Sequence, residues 1–276
     1  MGDAALGQEG LRDAAVAAGL GRVDGDLAHG FRKYSAITGS VKTEGIVLRS
    51  IRFGEADRIL HLYTPERGRV SVIAKGVRKA KSRFGGRLEP YFRLDLVLYQ
   101  GRSDLMTITS VETIAAHHRL REALAPLDGA ARACEAVARI FDDGEPNPGV
   151  YHLLANELTL LDREPARAGR ANSLAFRLKL LLAAGFAPHL AGCASCGENE
   201  HLVGFSGAAG GVVCGACEAS SFPLDEEAHA FMVAALGRPL AETPDAPPLA
   251  LAQAERAITD TLEHHAHLRL RPVGAR

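Results

Sequence analysis

The chain has 276 residues, 47% hydrophobic and 24% charged, which is enough for two or three small domains; with no Trp and only 5% aromatic residues, their cores must be aliphatic. No run of 18 apolar residues occurs and no basic start leads into an apolar stretch, which argues against a membrane span and a secretory signal and makes the cytoplasm the expected location. The net charge of −1 hides a division. Residues 41–100 hold 13 Lys or Arg against 6 Asp or Glu, net +7, so the remainder, 19 against 27, carries −8, and separate modules with separate partners are expected.

Residues 1–40 are rich in Gly, Ala and Asp without sustained periodicity and read as a flexible tail. From Val41 five runs follow: "EGIVLRSIRF", "DRILHLYT", "RVSVIAKG", "RLDLVLYQG" and "DLMTITSVETI". They are rich in Val, Ile, Leu, Thr and Tyr and several alternate with period two, as half-buried strands do. Turn-forming "TPERGR" and "YQGRSD" separate them. Five strands in about 75 residues predict a small closed barrel over 41–115, of which the OB-fold is the best-known oligonucleotide-binding case.

The remainder, 116–276, predicts a helical domain. "HHRLREALAPLDGAARACEAVARIF", "VYHLLANELTLLD" and "ANSLAFRLKLLLAAGF" carry apolar residues at three- and four-residue spacing, with breaks at "DDGEPNPG" and "REPARAGR". Residues 191–220 interrupt the pattern, and "LDEEAHAFMVAAL" and "LAQAERAITDTLEHHAHL" close the chain as helices. No internal repeat is visible.

The interruption contains "CASCG" and "CGAC". Cys193, Cys196, Cys214 and Cys217 form a C-x2-C-x17-C-x2-C pattern, the spacing of a four-thiolate zinc site. Two residues between cysteines let both sulfurs turn toward one ion, and Gly197 and Gly215 suit the tight backbone. Two disulfides or a redox C-x-x-C compete. A reducing compartment disfavours the first, and a single pair would suffice for the second. Four thiolates fill a tetrahedron, so one structural Zn2+ per chain is expected, with no position for substrate. Cys134 reads as a small core residue, and His264, His265 and His267 as part of a solvated helix.

Catalytic signatures are missing. No phosphate loop, H-E-x-x-H or G-x-S-x-G occurs, and no acidic cluster suits two metals. "RVDG" differs from the DNA-ligase K-x-D-G by Arg22 in place of the nucleophilic lysine. A protein that is not an enzyme is expected.

"KTEGIVL", "FGEADRILHLYT", "GRVSVIAKG" and "KSRFGGRLEP", followed by an Ala- and Leu-rich helical part with a four-cysteine insertion, resemble the RecO family of bacterial recombination mediators, from about Val41 to the C-terminus. The resemblance implies an α+β multidomain chain: an OB-fold, then a helical domain with an inserted zinc module. It also implies binding of single- and double-stranded DNA, annealing of complementary strands, action with RecR, help to RecA in replacing the single-stranded-DNA-binding protein, and a place at the nucleoid. Members of the family begin near Val41, so residues 1–40 depart from its pattern.

The resemblance and the charge pattern meet at residues 74–90, where Lys75, Arg78, Lys79, Lys81, Arg83 and Arg87 face only Glu89. Such a loop can follow a phosphate backbone, although a solvated loop has the same composition. Phe84, or Tyr91 and Phe92 beyond it, is a candidate for base stacking. Arg49, Arg52, Arg58, Arg67 and Arg69 are candidates to extend the basic face. The family is similar in recruiting the acidic, apolar C-terminal tail of the single-stranded-DNA-binding protein, and Arg177 and Lys179 in "FRLKLLL" are candidate cations at the rim of a groove for it. Two other functions compete: an RNA-binding OB-fold protein of translation, and a ligase- or nuclease-like DNA enzyme.

Overall fold

A computed structural model describes residues 39–101 and 105–273. The tail expected over 1–40 therefore lies outside the described residues, except for Gly39 and Ser40, which open the first strand.

The five expected strands are present: β1 (Gly39–Phe53), β2 (Asp57–Thr64), β3 (Gly68–Ala74), β4 (Arg93–Gln100) and β5 (Met106–Ala115). They close into a barrel of order β1-β2-β3-β5-β4, the OB-type arrangement. Closure depends on the length of β1. Its first half pairs with β4 from Gly39↔Gln100 to Ile46↔Arg93, and its second half pairs with β2 as far as Phe53↔Asp57. A bulge between Val47 and Arg49 bends the strand where it changes partner. The seal between β3 and β5 is short and parallel, at Val72↔Met106 and Ile73↔Thr107. Leu60, Leu62, Val72, Leu94, Leu96, Leu98 and Ile108 fill the interior, as the alternation predicts.

The helical half holds α1 (Leu124–Ile140), α2 (Pro148–Arg163), α3 (Arg170–Ala183), α4 (Glu226–Gly237) and α5 (Pro248–Ala266). Asn147 caps α2, its side chain accepting from Val150 N at 3.1 Å with Pro148 at the first position, and Asp225 caps α4 through Ala228 N. The first helix begins later than the pattern predicts. Residues 118–121 form a short 3-10 turn instead, because this stretch is used at the seam with the barrel: Arg121 donates to the carbonyls of Ala116, His117 and Pro90. α3 runs through the middle, packed by α1, α2, α4 and α5.

The two halves share a core. Ile46, Leu48 and Tyr63 point out of the barrel into the helical cluster, where Tyr63 meets Phe141 edge-on. Arg93 pairs with Glu44 at 2.7 Å, and Tyr151 OH donates to the same carboxylate at 2.7 Å. Gly68 is in the left-handed region (φ 60°), and a Cβ there would lie 1.9 Å from Glu145 O, so the close approach at the seam requires glycine. Arg69 is committed to this seam through Asp143 rather than to the basic face.

The insertion and the residues just after it contain three short strands that the sequence pattern does not reveal, β6 (Leu202–Ser206), β7 (Gly211–Cys214) and β8 (Phe222–Pro223), in order β7-β6-β8. Phe205, Val212 and Phe222 join the helical core. Asp260 of α5 accepts from Gly207 N at 2.7 Å, and His189 exchanges backbone hydrogen bonds with Gly210 and Val212.

Candidate nucleic-acid interface and metal centre

The six loop cations, Lys75, Arg78, Lys79, Lys81, Arg83 and Arg87, are all exposed, and none has a carboxylate partner among the described residues. The loop has no regular element, yet it is anchored. Asp57 accepts from Gly76 N at 2.7 Å, Arg78 N donates to Ala56 O at 2.9 Å, and Arg83 donates to Ile108 O at 3.3 Å. Val77, Phe84, Leu88 and Phe92 are driven into the barrel core.

That burial corrects one assignment. Phe84 is 1% exposed, with the Arg83 guanidinium 4.8 Å from its ring centroid, so its faces are not available to bases. Phe92 is also buried, and Tyr91 packs half-buried against the helical core. Hydrophobic residues spaced seven, four and four apart in an otherwise polar loop (Val77, Phe84, Leu88, Phe92) are the available signal for such plugs. The exposed aromatics of the barrel among the described residues are Phe53, at 50%, and Tyr99, at 45%, and the sequence pattern singles out neither.

Arg49, Arg52 and Arg58 all fall on β1 and β2. Arg49 is exposed opposite His61, whose own pKa is lowered by burial and by Arg49. Arg52 is exposed opposite Arg58. Arg58 is half-buried and paired with Glu89 at 2.9 Å, which fastens the far end of the loop. Register places Arg58 beside Ala74, so the β1–β2 turn and the start of the loop share the barrel end opposite the seam. The structure thus gathers Arg52, Lys75 and Arg78 at one end, with Arg49 three residues back along the strand and on its other face.

Arg177 and Lys179 do not line a surface groove. Arg177 is 4% exposed and Lys179 fully buried. Arg177 lies 3.6 Å from Glu255 and donates to Arg271 O at 2.5 Å, and Lys179 donates to Leu236 O at 3.2 Å. The reason is the position of α3. A helix surrounded on all sides has no solvated face, and the leucines at 178, 180, 181 and 182 already leave no polar stripe.

Cys193, Cys196, Cys214 and Cys217 converge, their sulfurs all within 4.8 Å of one another. The Cys196–Cys214 sulfur separation is 3.7 Å, close to the edge of about 3.8 Å that a tetrahedron with metal–sulfur bonds of about 2.3 Å requires. None of the four is in a disulfide. The backbone N–H groups of Cys214, Cys196 and Ser195 pull the Cys193 thiol down to about 6. The neighbouring sulfurs, Cys196 first, push Cys217 up to about 12. One thiolate thus opposes the next, and a cation at the centre is what allows all four to ionise together. Gly197 adopts φ 81°, the left-handed turn the first knuckle needs; Gly215 does not, so the second closes without it. Cys134 is buried in α1 as a core residue, and burial raises its thiol pKa.

Two family profiles match the chain. Residues 38–117 match the family described as "Recombination protein O N terminal", and residues 121–272 the one described as "Recombination protein O C terminal". The chain is 42% identical over 184 residues to the DNA repair protein RecO of Rubrobacter xylanophilus, covering 66% of this chain and 73% of that one. It is 38% identical over 240 residues to the RecO of Anaeromyxobacter sp. (strain K), covering 83% and 93%. Against the RecO of Myxococcus xanthus the identity is 34% over 236 residues, covering 83% and 94%.

Proposed function

The chain belongs to the RecO family of DNA repair proteins, and on that premise we propose that it is a non-enzymatic mediator that holds single- and double-stranded DNA by their phosphates and anneals complementary strands. The observation that carries this reading is the anchored loop: six exposed cations without carboxylate partners, fixed at both ends to a closed barrel. Each phosphate they neutralise releases counterions, a driving force indifferent to sequence, as a repair protein acting at arbitrary sites requires. Two strands attached to one cationic surface repel each other less and pair faster.

In this reading the protein works with RecR and assists RecA indirectly, as the family resemblance implies, at the nucleoid in the cytoplasm. No helix among the described residues is long and apolar enough to cross a membrane. The C-terminal tail of the single-stranded-DNA-binding protein remains a proposed partner, without Arg177 or Lys179 as its contacts. The four cysteines hold one structural Zn2+, which ties the knuckles together and leaves no open coordination position.

The deciding experiment measures annealing of complementary oligonucleotides by the full chain without ATP or magnesium, alongside competition between matched DNA and RNA strands. Faster annealing and preference for DNA support the proposal. Nucleotide hydrolysis, strand joining or preference for RNA would replace it with one of the competing functions.

A further inference from the structure

The strands that carry Arg49 and Arg52 also carry an apolar band that neither core uses. Register sets Ile51 opposite Ile59, Ile59 opposite Ile73, Ile73 opposite Thr107, and Thr107 opposite Tyr99. The neighbours of these residues, Leu60, Val72, Met106 and Leu98, fill the barrel, so by strand alternation Ile59, Ile73, Thr107 and Tyr99 face outward. Ile51, Ile59 and Ile73 are half-buried and belong to neither the barrel core nor the helical core. Two residues along from Ile51, on the same face, stands Phe53, half-exposed and without a ring partner among the described residues. Two residues the other way stands Arg49, in a row with His61 and Ser71, whose side chains hold each other at 2.9 Å. A half-buried aliphatic band with an exposed aromatic edge and the exposed Arg49 on the same face fits a polyanion that carries flat apolar faces.

We propose that Phe53 and the Ile51–Ile59–Ile73 band form a base-stacking platform through which the barrel tells single-stranded from double-stranded DNA. Unpaired bases lie on the platform while Arg49, on the same face, and the loop cations take the phosphates. A duplex keeps its bases stacked inside and offers only its backbone, so it meets the cations alone. Annealing then weakens the protein's hold on its own product, because pairing withdraws the bases and leaves only the phosphate contacts. This inference rests on the reading of the barrel as a DNA-binding surface.

The test uses the full chain and two substitutions, Phe53→Ala and Phe53→Trp. Phe53 is exposed, so removing its ring leaves the fold intact. Phe53→Ala should weaken binding of an oligo-dT strand about tenfold, within the range of one lost base stack, and leave affinity for a duplex of equal length unchanged. An abasic strand of the same length should bind wild type and Phe53→Ala equally. The chain has no Trp, so Phe53→Trp introduces a single reporter whose emission should fall on adding oligo-dT and stay level on adding the abasic strand. Equal loss for single strand and duplex, or wild-type affinity for the abasic strand matching that for oligo-dT, overturns the platform while the phosphate reading stands. Failure of wild type to bind any of the three overturns both.

Discussion

The barrel half and the helical half treat charge in opposite ways. The barrel and its loop keep Lys75, Arg78, Lys79, Lys81, Arg83 and Arg87 in water. The helical half buries Glu157, Arg177 and Lys179, and from residue 180 to residue 237 it has no Lys or Arg at all. The difference teaches how to read a cation in a sequence. In a loop between strands, a basic residue is exposed unless something covers it. In a central helix, it goes wherever the surrounding helices put it. The same contrast divides the two irregular segments. Residues 75–92 are held down by apolar side chains thrust into the barrel, whereas in residues 191–220 Phe205 and Val212 reach the helical core and the two knuckles meet at four sulfurs.

The largest break in this comparison comes from the sulfurs. Within the insertion, the cluster separate from the helical core contains only Cys193, Val213 and Cys214, with Leu202, Ala209 and Cys217 against it, too little to order the knuckles without a metal. Elemental analysis of protein purified under reducing conditions should give one zinc per chain. Chelation, or Cys214→Ser, should expose 191–220 to proteolysis while binding of DNA by the barrel persists. A zinc-free protein with a protected insertion contradicts this.

Next in size is Phe84. Replacing it with Ala empties a plug in the barrel core and should cost about 3–5 kcal/mol in denaturant unfolding. Phe53→Ala should cost far less, since its ring is already half in water. The pair of measurements sharpens the distinction between an aromatic that shapes the loop and one left on the surface. A Phe84→Ala protein of unchanged stability that had lost DNA binding would return Phe84 to the interface.

How much of this was legible in the sequence follows from range. The strands were readable because alternation is local, and β1 was underestimated because its extra N-terminal residues are recognisable only from their pairing with β4. The cysteines were readable because ligand spacing is covalent. The exposed cations were readable from density alone. Phe84, Arg177 and Lys179 were misplaced because their burial depends on residues far away in the chain: Phe84 shares the barrel core with Ile108, Arg177 faces Glu255 and Lys179 reaches Leu236. Strands β6 to β8 escaped notice because they have five, four and two residues, too short to show a period.

A smaller effect, on affinity rather than folding, should follow from the loop. If about five cations neutralise phosphates of a single strand, log affinity falls with log salt at a slope near about −3.5. Replacing Arg78, Lys79 and Lys81 together with Ala should flatten that slope by about 2, weaken all sequences alike and leave the unfolding midpoint in place. An unchanged slope in a salt titration with labelled oligo-dT would move the phosphate contacts to the Arg49 and Arg52 side.

The last effect belongs to the helical half and has a definite sign. Glu157 is 1% exposed and bonded only to the Asn172 amide, and burial pushes its pKa up from 4.5 to about 8. Between those values the folded protein keeps a proton that the unfolded chain has released, so stability falls as pH rises from about 4.5 to about 8. Lys179 is shifted the other way, from 10.5 down to about 8, by burial. Between about 8 and about 10.5 the folded protein has released a proton that the unfolded chain still holds, so stability rises with pH. The two contributions together place a stability minimum near pH 8. Denaturant midpoints at about pH 5.5, 8 and 10 should trace the dip. Glu157→Gln should remove its acid side and Lys179→Met its alkaline side. A wild-type profile that is level from pH 5.5 to 8, or a Glu157→Gln protein that retains the fall, would mean that Glu157 is ionised in the folded chain and that the helical core tolerates the charge.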